Sequence, residues 1–205
     1  MKILGQGLQY TVFQYSDTQV IKKPNSDEEM IAKLQSWRPL NEKQLNLRIS
    51  HAKRQRIDCF SLIQTYNIPL SLFGNPVFLD DSEYIQDLLM IPQYMNQSED
   101  QIIQTTKDYI DLLQTLWSYG LHDIPMYYQI NCGYNRLGKL VIADFSEFTQ
   151  DIRLARSGIG LRRWHRAHFT EILAEPLKAK VISLFDKSLT FDSLNHHWNR
   201  LALKD

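Results

Sequence analysis

Short runs of β-branched and aromatic residues, separated by polar turns, dominate the first part of the chain. Residues 10–15 and 19–23 are two such runs, and the turn between them predicts a hairpin. A glycine-containing turn at residues 5–7 precedes them, and a second pair of strands is predicted at residues 73–79 and 84–95. The pattern therefore predicts an N-terminal part rich in strands.

Apolar residues follow the helical period in two longer stretches. Residues 41–66 are predicted to be mostly helical, and the acidic segment 25–29 predicts a helix start ahead of them. Another helix is predicted to begin at Ser98, because Gln101 three positions later completes a capping-box pattern, and to end at Gly120.

The order of these elements defines the expected fold class. After Asp144 the chain is predicted to be helical to its end, with breaks at residues 158–160 and at Pro176. Strands that come first and helices that follow indicate an α+β protein. We expect two lobes, a β-rich lobe of residues 1–95 and a helical lobe of residues 96–205.

The composition is that of an ordinary globular chain, with 205 residues, 43% hydrophobic residues and zero formal net charge. The neutral balance argues against a nucleic acid as partner. Two cysteines outside any metal-ligand pattern predict free thiols in a reducing compartment. The sequence has no membrane-length apolar run and no signal-peptide pattern, so we expect a cytoplasmic protein. Delivery into another cell by a route without a cleaved signal would leave no pattern in the sequence.

The segment 130–148 carries the most informative chemistry. Turn-forming residues lead into the apolar run 140–143, which predicts a tight hairpin with a buried second strand, and Asp144 follows directly. A carboxylate at the end of a buried strand is unfavourable unless a metal ion or a cationic side chain meets it. Asp144 is therefore expected to have a positively charged partner.

A candidate partner lies on the third predicted strand. Val20 and Lys22 should point to the same side of that strand, and a lysine on an inward face requires an anion. Glycines such as Gly5 and Gly7 let backbone amides approach a phosphate, and Val12 could cover an aromatic ring. The alternatives are a plain hairpin turn and a solvated edge-strand lysine.

This order of motifs resembles the protein-kinase-like superfamily, and its compactness resembles bacterial kinase-like proteins of the YrbL type. The resemblance covers roughly residues 1–150, and it ends in an Asp-Phe-Ser motif at residues 144–146. Tyr10 stands where the family has the third glycine of its loop. Only 61 residues follow Asp144, so the helical lobe would be truncated.

The resemblance implies ATP and Mg²⁺ as ligands and assigns roles to individual residues. Lys22 would hold the α- and β-phosphates, and Asn131 and Asp144, thirteen positions apart, would ligate Mg²⁺. The hinge strand would bond the adenine through its backbone, and the residue that begins the next helix would contact the ribose. The implied nucleotide-binding residues are Gly5, Gly7, Val12, Val20, Lys22, Gln93, Met95 and Glu99.

Two catalytic elements of the family are altered. Met126 occupies the usual position of the catalytic base, and Asp123, eight positions before Asn131, could replace it only in a longer loop. The acid that pairs with the strand lysine is expected to be Asp58 or Glu42.

Three functions are compatible with this pattern. The first is an atypical ATP-dependent phosphotransferase that uses Lys22 and Asp123 and acts on a protein or small-molecule acceptor; transfer of AMP instead of phosphate stays open. The second is a pseudokinase that serves as a nucleotide-binding or protein-interaction module. The third is an α+β protein that binds no nucleotide and whose glycine turn only closes a hairpin.

Overall fold

Five strands form an antiparallel sheet in the N-terminal part of the molecule. The computed structural model describes residues 1–65, 68–80, 82–93, 96–144 and 147–199, without the side chain of His168. The strands are β1 (Ile3–Gln6), β2 (Tyr10–Gln14), β3 (Gln19–Pro24), β4 (Val77–Phe78) and β5 (Tyr84–Asp87). They are arranged in the order β1-β2-β3-β5-β4. Val12 lies opposite Lys22 and Lys22 lies opposite Tyr84, so these three side chains share one face of the sheet.

Two helices, α1 (Asp27–Trp37) and α2 (Glu42–Thr65), connect β3 to β4. Helix α1 begins with a capping box in which Ser26 and Glu29 bond each other's backbone amides. The two helices pack together through a small core of their own, which consists of Met30, Leu34, Leu45 and Ile49.

The C-terminal part is mainly helical, with two short antiparallel strand pairs, β6 with β9 and β7 with β8. Its elements are α3 (Glu99–Ser118), β6 (His122–Asp123), α4 (Tyr128–Asn131), β7 (Cys132–Tyr134), β8 (Leu140–Ile142), β9 (Phe148–Thr149), α5 (Ile152–Gly160), α6 (His168–Ile172), α7 (Glu175–Ser188) and α8 (Phe191–His197). Short 3₁₀ turns occur at Leu70–Phe73 and Arg163–Arg166.

One large apolar core connects the sheet with these helices. It includes Tyr84 of the sheet, Phe60 of α2, Trp117 of α3 and Phe185 of α7, which are all buried. Both cysteines are free and buried within it. Burial of these large side chains supplies most of the driving force for folding.

The α+β class and the order of strands before helices are confirmed. The capping box at Ser98 and the hairpin with a buried second strand are confirmed as well. Two details are wrong. The chain forms strand β9 after Asp144, and the second strand pair is limited to Val77–Phe78 and Tyr84–Asp87. Phe73 belongs to a 3₁₀ helix, and Met90 pairs with Tyr134 instead of continuing β5. In the described part of the chain, no helix is both long and apolar enough to cross a membrane.

Candidate functional site

The N-terminal sheet is bonded to the chain just before Asp144. Lys22 donates from Nζ to the main-chain oxygen of Ala143, and Gln86 donates from Nε2 to the main-chain oxygen of Ile142 at 3.2 Å. Gln86 also donates to Phe73 O at 2.7 Å. Two consecutive carbonyls at the end of β8 are therefore held by the neighbouring strands β3 and β5.

Lys22 is buried beside both an aromatic ring and a carboxylate. Its side chain shares a face with Tyr84, and Nζ is 5.5 Å from the centroid of that ring, within the range of a cation–π contact. Burial lowers the pKa of Lys22, and the negative charge of Asp144 acts in the opposite direction. Lys22 is only 7% exposed, so the solvated edge-strand lysine is the wrong alternative.

Asn131 is tied to the same segment through its backbone. It ends helix α4, and its main-chain oxygen accepts hydrogen bonds from the amides of Ala143 at 2.7 Å and Asp144 at 3.0 Å. These bonds fix the loop asparagine beside the aspartate across the base of the β7–β8 hairpin. Lys22 thus contacts the residue before Asp144, and the backbones of Asn131 and Asp144 are hydrogen-bonded to each other. A shared phosphate and metal site for these three side chains stays a prediction. Phe145 and Ser146 lie outside the described residues.

Neither of the two acids expected to pair with Lys22 does so. Asp58 and Glu42 are exposed on α2, and neither forms an ion pair with Lys22 within the described chain. The reason is the rotation of α2, which turns Cys59 and Phe60 into the core and leaves Asp58 on the outside. Asp144 is the carboxylate whose charge acts on the lysine.

Asp123 ends β6 and is almost fully buried, at 2% exposure. Tyr109 Oη donates to Asp123 Oδ2 at 2.7 Å, and the amide of Met126 donates to the same carboxyl group. Burial raises the pKa of Asp123 to about 7, and the charges of Glu147 and Asp144 add to the increase. A carboxyl with this pKa suits proton transfer near neutral pH, although its position in the structure is enclosed.

His122 does not form a pair with Asp123. Trp117 donates from Nε1 to His122 Nδ1 at 3.1 Å, and burial lowers the pKa of this histidine to about 3. The ring is therefore neutral at physiological pH. Met126 is buried and has a left-handed backbone with φ of 55°, which a methionine rarely adopts.

The glycine turn is closed by a bond from Gly7 N to Tyr10 O at 2.8 Å. A Cβ atom at Gly5 would meet nothing within 4 Å, and neither glycine has a left-handed backbone. Glycine is therefore not required there for the fold, and the open space at Gly5 leaves room for a ligand. Tyr10 packs its ring edge-on against Tyr84, with 5.5 Å between the ring centroids.

The chain after β5 pairs with β7, as Met90 and Tyr134 exchange two backbone hydrogen bonds of 2.9 Å. Gly133 allows this approach, because a Cβ atom there would lie 2.8 Å from Leu89 Cβ and 2.9 Å from Ile91 Cδ1.

Of the three residues predicted to hold adenine and ribose, two are described. Gln93 is exposed, and its main-chain oxygen accepts from the amide of Asn96 at 2.8 Å. Glu99, at the start of α3, is exposed and 3.4 Å from the ammonium group of Lys180. Met95 lies outside the described residues.

Sequence reasoning missed Gln86 and Glu147. Gln86 follows Tyr84 and Ile85 in β5 and is 1% exposed, so a polar residue directly after two apolar ones was a usable signal. Glu147 adds a third carboxylate near Asp123 and Asp144, and burial raises its pKa. No pattern in the sequence placed it there.

Among the described residues, no group of three or more His, Cys, Asp or Glu side chains is arranged to hold a metal ion. The predicted metal ligands Asn131 and Asp144 offer one carboxamide and one carboxylate. No protein-family model matches the sequence, and a comparison with curated proteins finds no significant match.

Proposed function

We propose that this chain binds Mg-ATP between Lys22 and the Asn131–Asp144 segment and transfers the terminal phosphoryl group to an acceptor. The observation that carries the proposal is the contact of the buried Lys22 ammonium with the carbonyl of Ala143, directly before Asp144. It joins a cation and a carboxylate at one place, where the cation can bind phosphate oxygens. A plain hairpin protein would have no need for a buried lysine there.

The arrangement of elements supports a kinase-like fold in this proposal. The sheet order β1-β2-β3-β5-β4, the two helices after the lysine strand, and the paired short strands around Asp144 follow the order expected for such a protein. Residues 1–95 would form the N-terminal lobe and residues 96–205 a reduced C-terminal lobe.

The donor set fits Mg²⁺. This ion prefers oxygen ligands and commonly binds to proteins through one or two carboxylates together with substrate phosphates and water. The side chains of Asn131 and Asp144 would supply two oxygen ligands, and the nucleotide would complete the set. When bound, the ion would neutralise charge on the phosphates. Lys22 would bind phosphate oxygens directly, with an interaction strengthened by its burial.

In the transfer step, an acceptor hydroxyl of a protein or small molecule attacks the γ-phosphorus. The new oxygen–phosphorus bond forms as the bond to ADP breaks, and the hydroxyl proton passes to Asp123. The pKa of about 7 suits Asp123 for this task. Asp123 must first become accessible, because its carboxyl group is buried and bonded to Tyr109 and to the amide of Met126.

The enclosure of Asp123 favours a second candidate, a module that binds nucleotide without transfer. Its carboxyl group is already bonded to Tyr109 and to the amide of Met126. Since positioning and electrostatic stabilisation contribute most of phosphoryl transfer, loss of the base alone does not exclude catalysis. Both candidate functions use the same nucleotide-binding site, and only the phosphotransferase turns over ATP.

Thermal unfolding with and without Mg-ATP tests binding. A ligand at a hundred times its Kd should raise the free energy of unfolding by about 2.7 kcal/mol. We expect this stabilisation in the wild type, its loss in Lys22→Met and Asp144→Asn, and its retention in Lys23→Met, which changes the adjacent, more exposed lysine. A wild type with no shift at millimolar Mg-ATP would overturn the proposal.

Transfer of label from γ-labelled ATP then separates the two candidates. Phosphotransferase activity predicts incorporation by the wild type that falls by roughly 10²–10⁴-fold in Asp123→Asn, the usual contribution of a general base. Binding without any incorporation supports the second candidate.

A further inference from the structure

Asn25, directly after β3, forms hydrogen bonds with the backbone of the glycine turn. Its Nδ2 donates to the main-chain oxygens of Gly7 at 3.0 Å and Leu8 at 2.9 Å, and its own amide donates to Gln9 O at 2.9 Å. Its Oδ1 accepts from the hydroxyl of Thr11 at 2.7 Å. Asn25 is buried at 6% exposure, so it holds three successive carbonyls of the turn in a protected place.

This arrangement orients the amides of the turn. In a trans peptide the N–H points opposite to the carbonyl of the preceding residue. Because the carbonyls of Gly7 and Leu8 face Asn25, the amides of Leu8 and Gln9 point away from it. Neither amide donates to another group in the described part of the chain. Two successive free N–H groups form a concave site suited to an anion.

The two amides point toward the face of the sheet that carries Lys22. Side chains alternate along β2, so Thr11 faces opposite to Val12, and Val12 lies across from Lys22. The bond from Thr11 to Asn25 places the Asn25 carboxamide on the face away from Lys22. The carbonyl groups of Gly7 and Leu8 therefore point to the face of the sheet opposite Lys22. The amides of Leu8 and Gln9 point to the face that carries Lys22.

Helix α1 also contacts the glycine turn. Lys33 donates from Nζ to the main-chain oxygen of Gln6 at 2.9 Å, and Leu8 packs on the small core of α1 and α2. These contacts hold the turn from the helix side, in addition to Asn25.

We propose that Asn25 is a positioning residue for nucleotide phosphates, which the amides of Leu8 and Gln9 bind together with Lys22. The inference rests on the proposed function. Turning the carbonyl oxygens outward removes their repulsion of phosphate oxygens, and it presents donors without reorganisation when the ligand arrives. Only a neutral carboxamide donates to two carbonyls and accepts from Thr11 at the same time.

The substitution Asn25→Asp tests the assignment, because aspartate has the same shape and lacks the donor. The dissociation constants of Mg-ATP and of adenosine, which has no phosphate, are measured for both proteins by calorimetry. We expect Mg-ATP to bind at least about tenfold more weakly to the variant, as fits the loss of charge-assisted hydrogen bonds, while adenosine affinity stays within about twofold. Asn41→Asp is the matched control, since Asn41 is exposed and caps α2 by accepting from Gln44 N.

A second measurement uses only the wild type, so its result does not depend on whether a variant folds. Backbone ¹⁵N–¹H spectra should show the amides of Leu8 and Gln9 shifting with Mg-ATP and not with adenosine. An equal loss of both affinities in Asn25→Asp, or amides at Leu8 and Gln9 that do not respond to Mg-ATP, would overturn the role of Asn25. A wild type that binds neither ligand would instead overturn the proposed function.

Discussion

Lys22 on β3 donates a hydrogen bond to the main-chain oxygen of Ala143, although 121 positions of the sequence separate the two residues. The next carbonyl upstream, that of Ile142, accepts from Gln86 on the neighbouring strand. Together these bonds fix the chain that leads into Asp144 against the N-terminal sheet. The position of the candidate metal ligand therefore depends on two polar side chains buried in the sheet.

The buried state of Lys22 predicts a characteristic pH dependence. Its pKa in the folded chain lies below the ordinary value of 10.5, so between these two values the unfolded chain holds a proton that the folded chain has lost. The free energy of unfolding of the wild type, relative to Lys22→Met, should therefore rise as the pH increases toward 10.5. Urea unfolding of both proteins from about pH 8 to 10 measures this difference. A difference that stays constant or falls would contradict the lowered pKa.

Asp123 predicts the opposite trend at lower pH. Its pKa rises from 3.8 to about 7 on folding, so the folded chain keeps a proton that the unfolded chain loses in this window. The free energy of unfolding should fall as the pH rises from about 4 to 7, by an amount on the order of 4 kcal/mol that is complete above pH 7. Asp123→Asn cannot ionise and should lack this fall.

Urea unfolding of wild type and Asp123→Asn across the same window checks the prediction. Glu147 also has a raised pKa, caused mainly by burial and by the charge of Asp144, and these causes are present in both proteins. The difference between the two curves therefore measures Asp123 together with its interaction with Glu147. Parallel curves between pH 4 and 7 would show that the carboxyl group is not held protonated.

Gly133 predicts a steric effect at the contact between β7 and the chain after β5. In Gly133→Ala the new methyl group would lie under 3.0 Å from Leu89 and Ile91, and 3.3 Å from the carbonyl of Met90. Overpacking of this kind destabilises by about 1–3 kcal/mol. Gly5→Ala is the matched control, since a Cβ atom there meets nothing within 4 Å. Equal stability of the two variants in urea would refute the close approach at Gly133.

Features set by neighbouring residues were predictable from the sequence. The capping box of Ser98 and Gln101 depends on residues three positions apart, and the β7–β8 hairpin depends on its own turn and apolar run. The inward direction of Lys22 followed from the alternation of a strand with apolar neighbours. Each of these features depends on residues close together in the sequence, so contacts with distant parts of the chain did not change them.

Features that depend on distant contacts were not predictable. Strand β9 exists because Phe148 and Thr149 pair with β6, more than 20 residues earlier, and no local pattern announces that pairing. The environment of Asp123 depends on Tyr109 from α3. The sequence therefore indicated Asp123 as a candidate base but could not predict its raised pKa. The expected pairing of Asp58 with Lys22 failed because it required the rotation of α2 about its axis, which the packing of Cys59 and Phe60 decides.

Gln86 provides the last prediction, because it joins the sheet to the strand before Asp144. Gln86→Leu keeps a similar volume and leaves the carbonyls of Phe73 and Ile142 without their donor. Buried carbonyls left in this way destabilise by about 1–3 kcal/mol, and the Ile142–Asp144 segment should lose its fixed position, so Mg-ATP stabilisation should weaken as well. Gln104→Leu, which removes an exposed glutamine bonded to Asp108, should change the free energy of unfolding by less than about 0.5 kcal/mol. If both variants unfold at the same urea concentration, Gln86 does not anchor the candidate site.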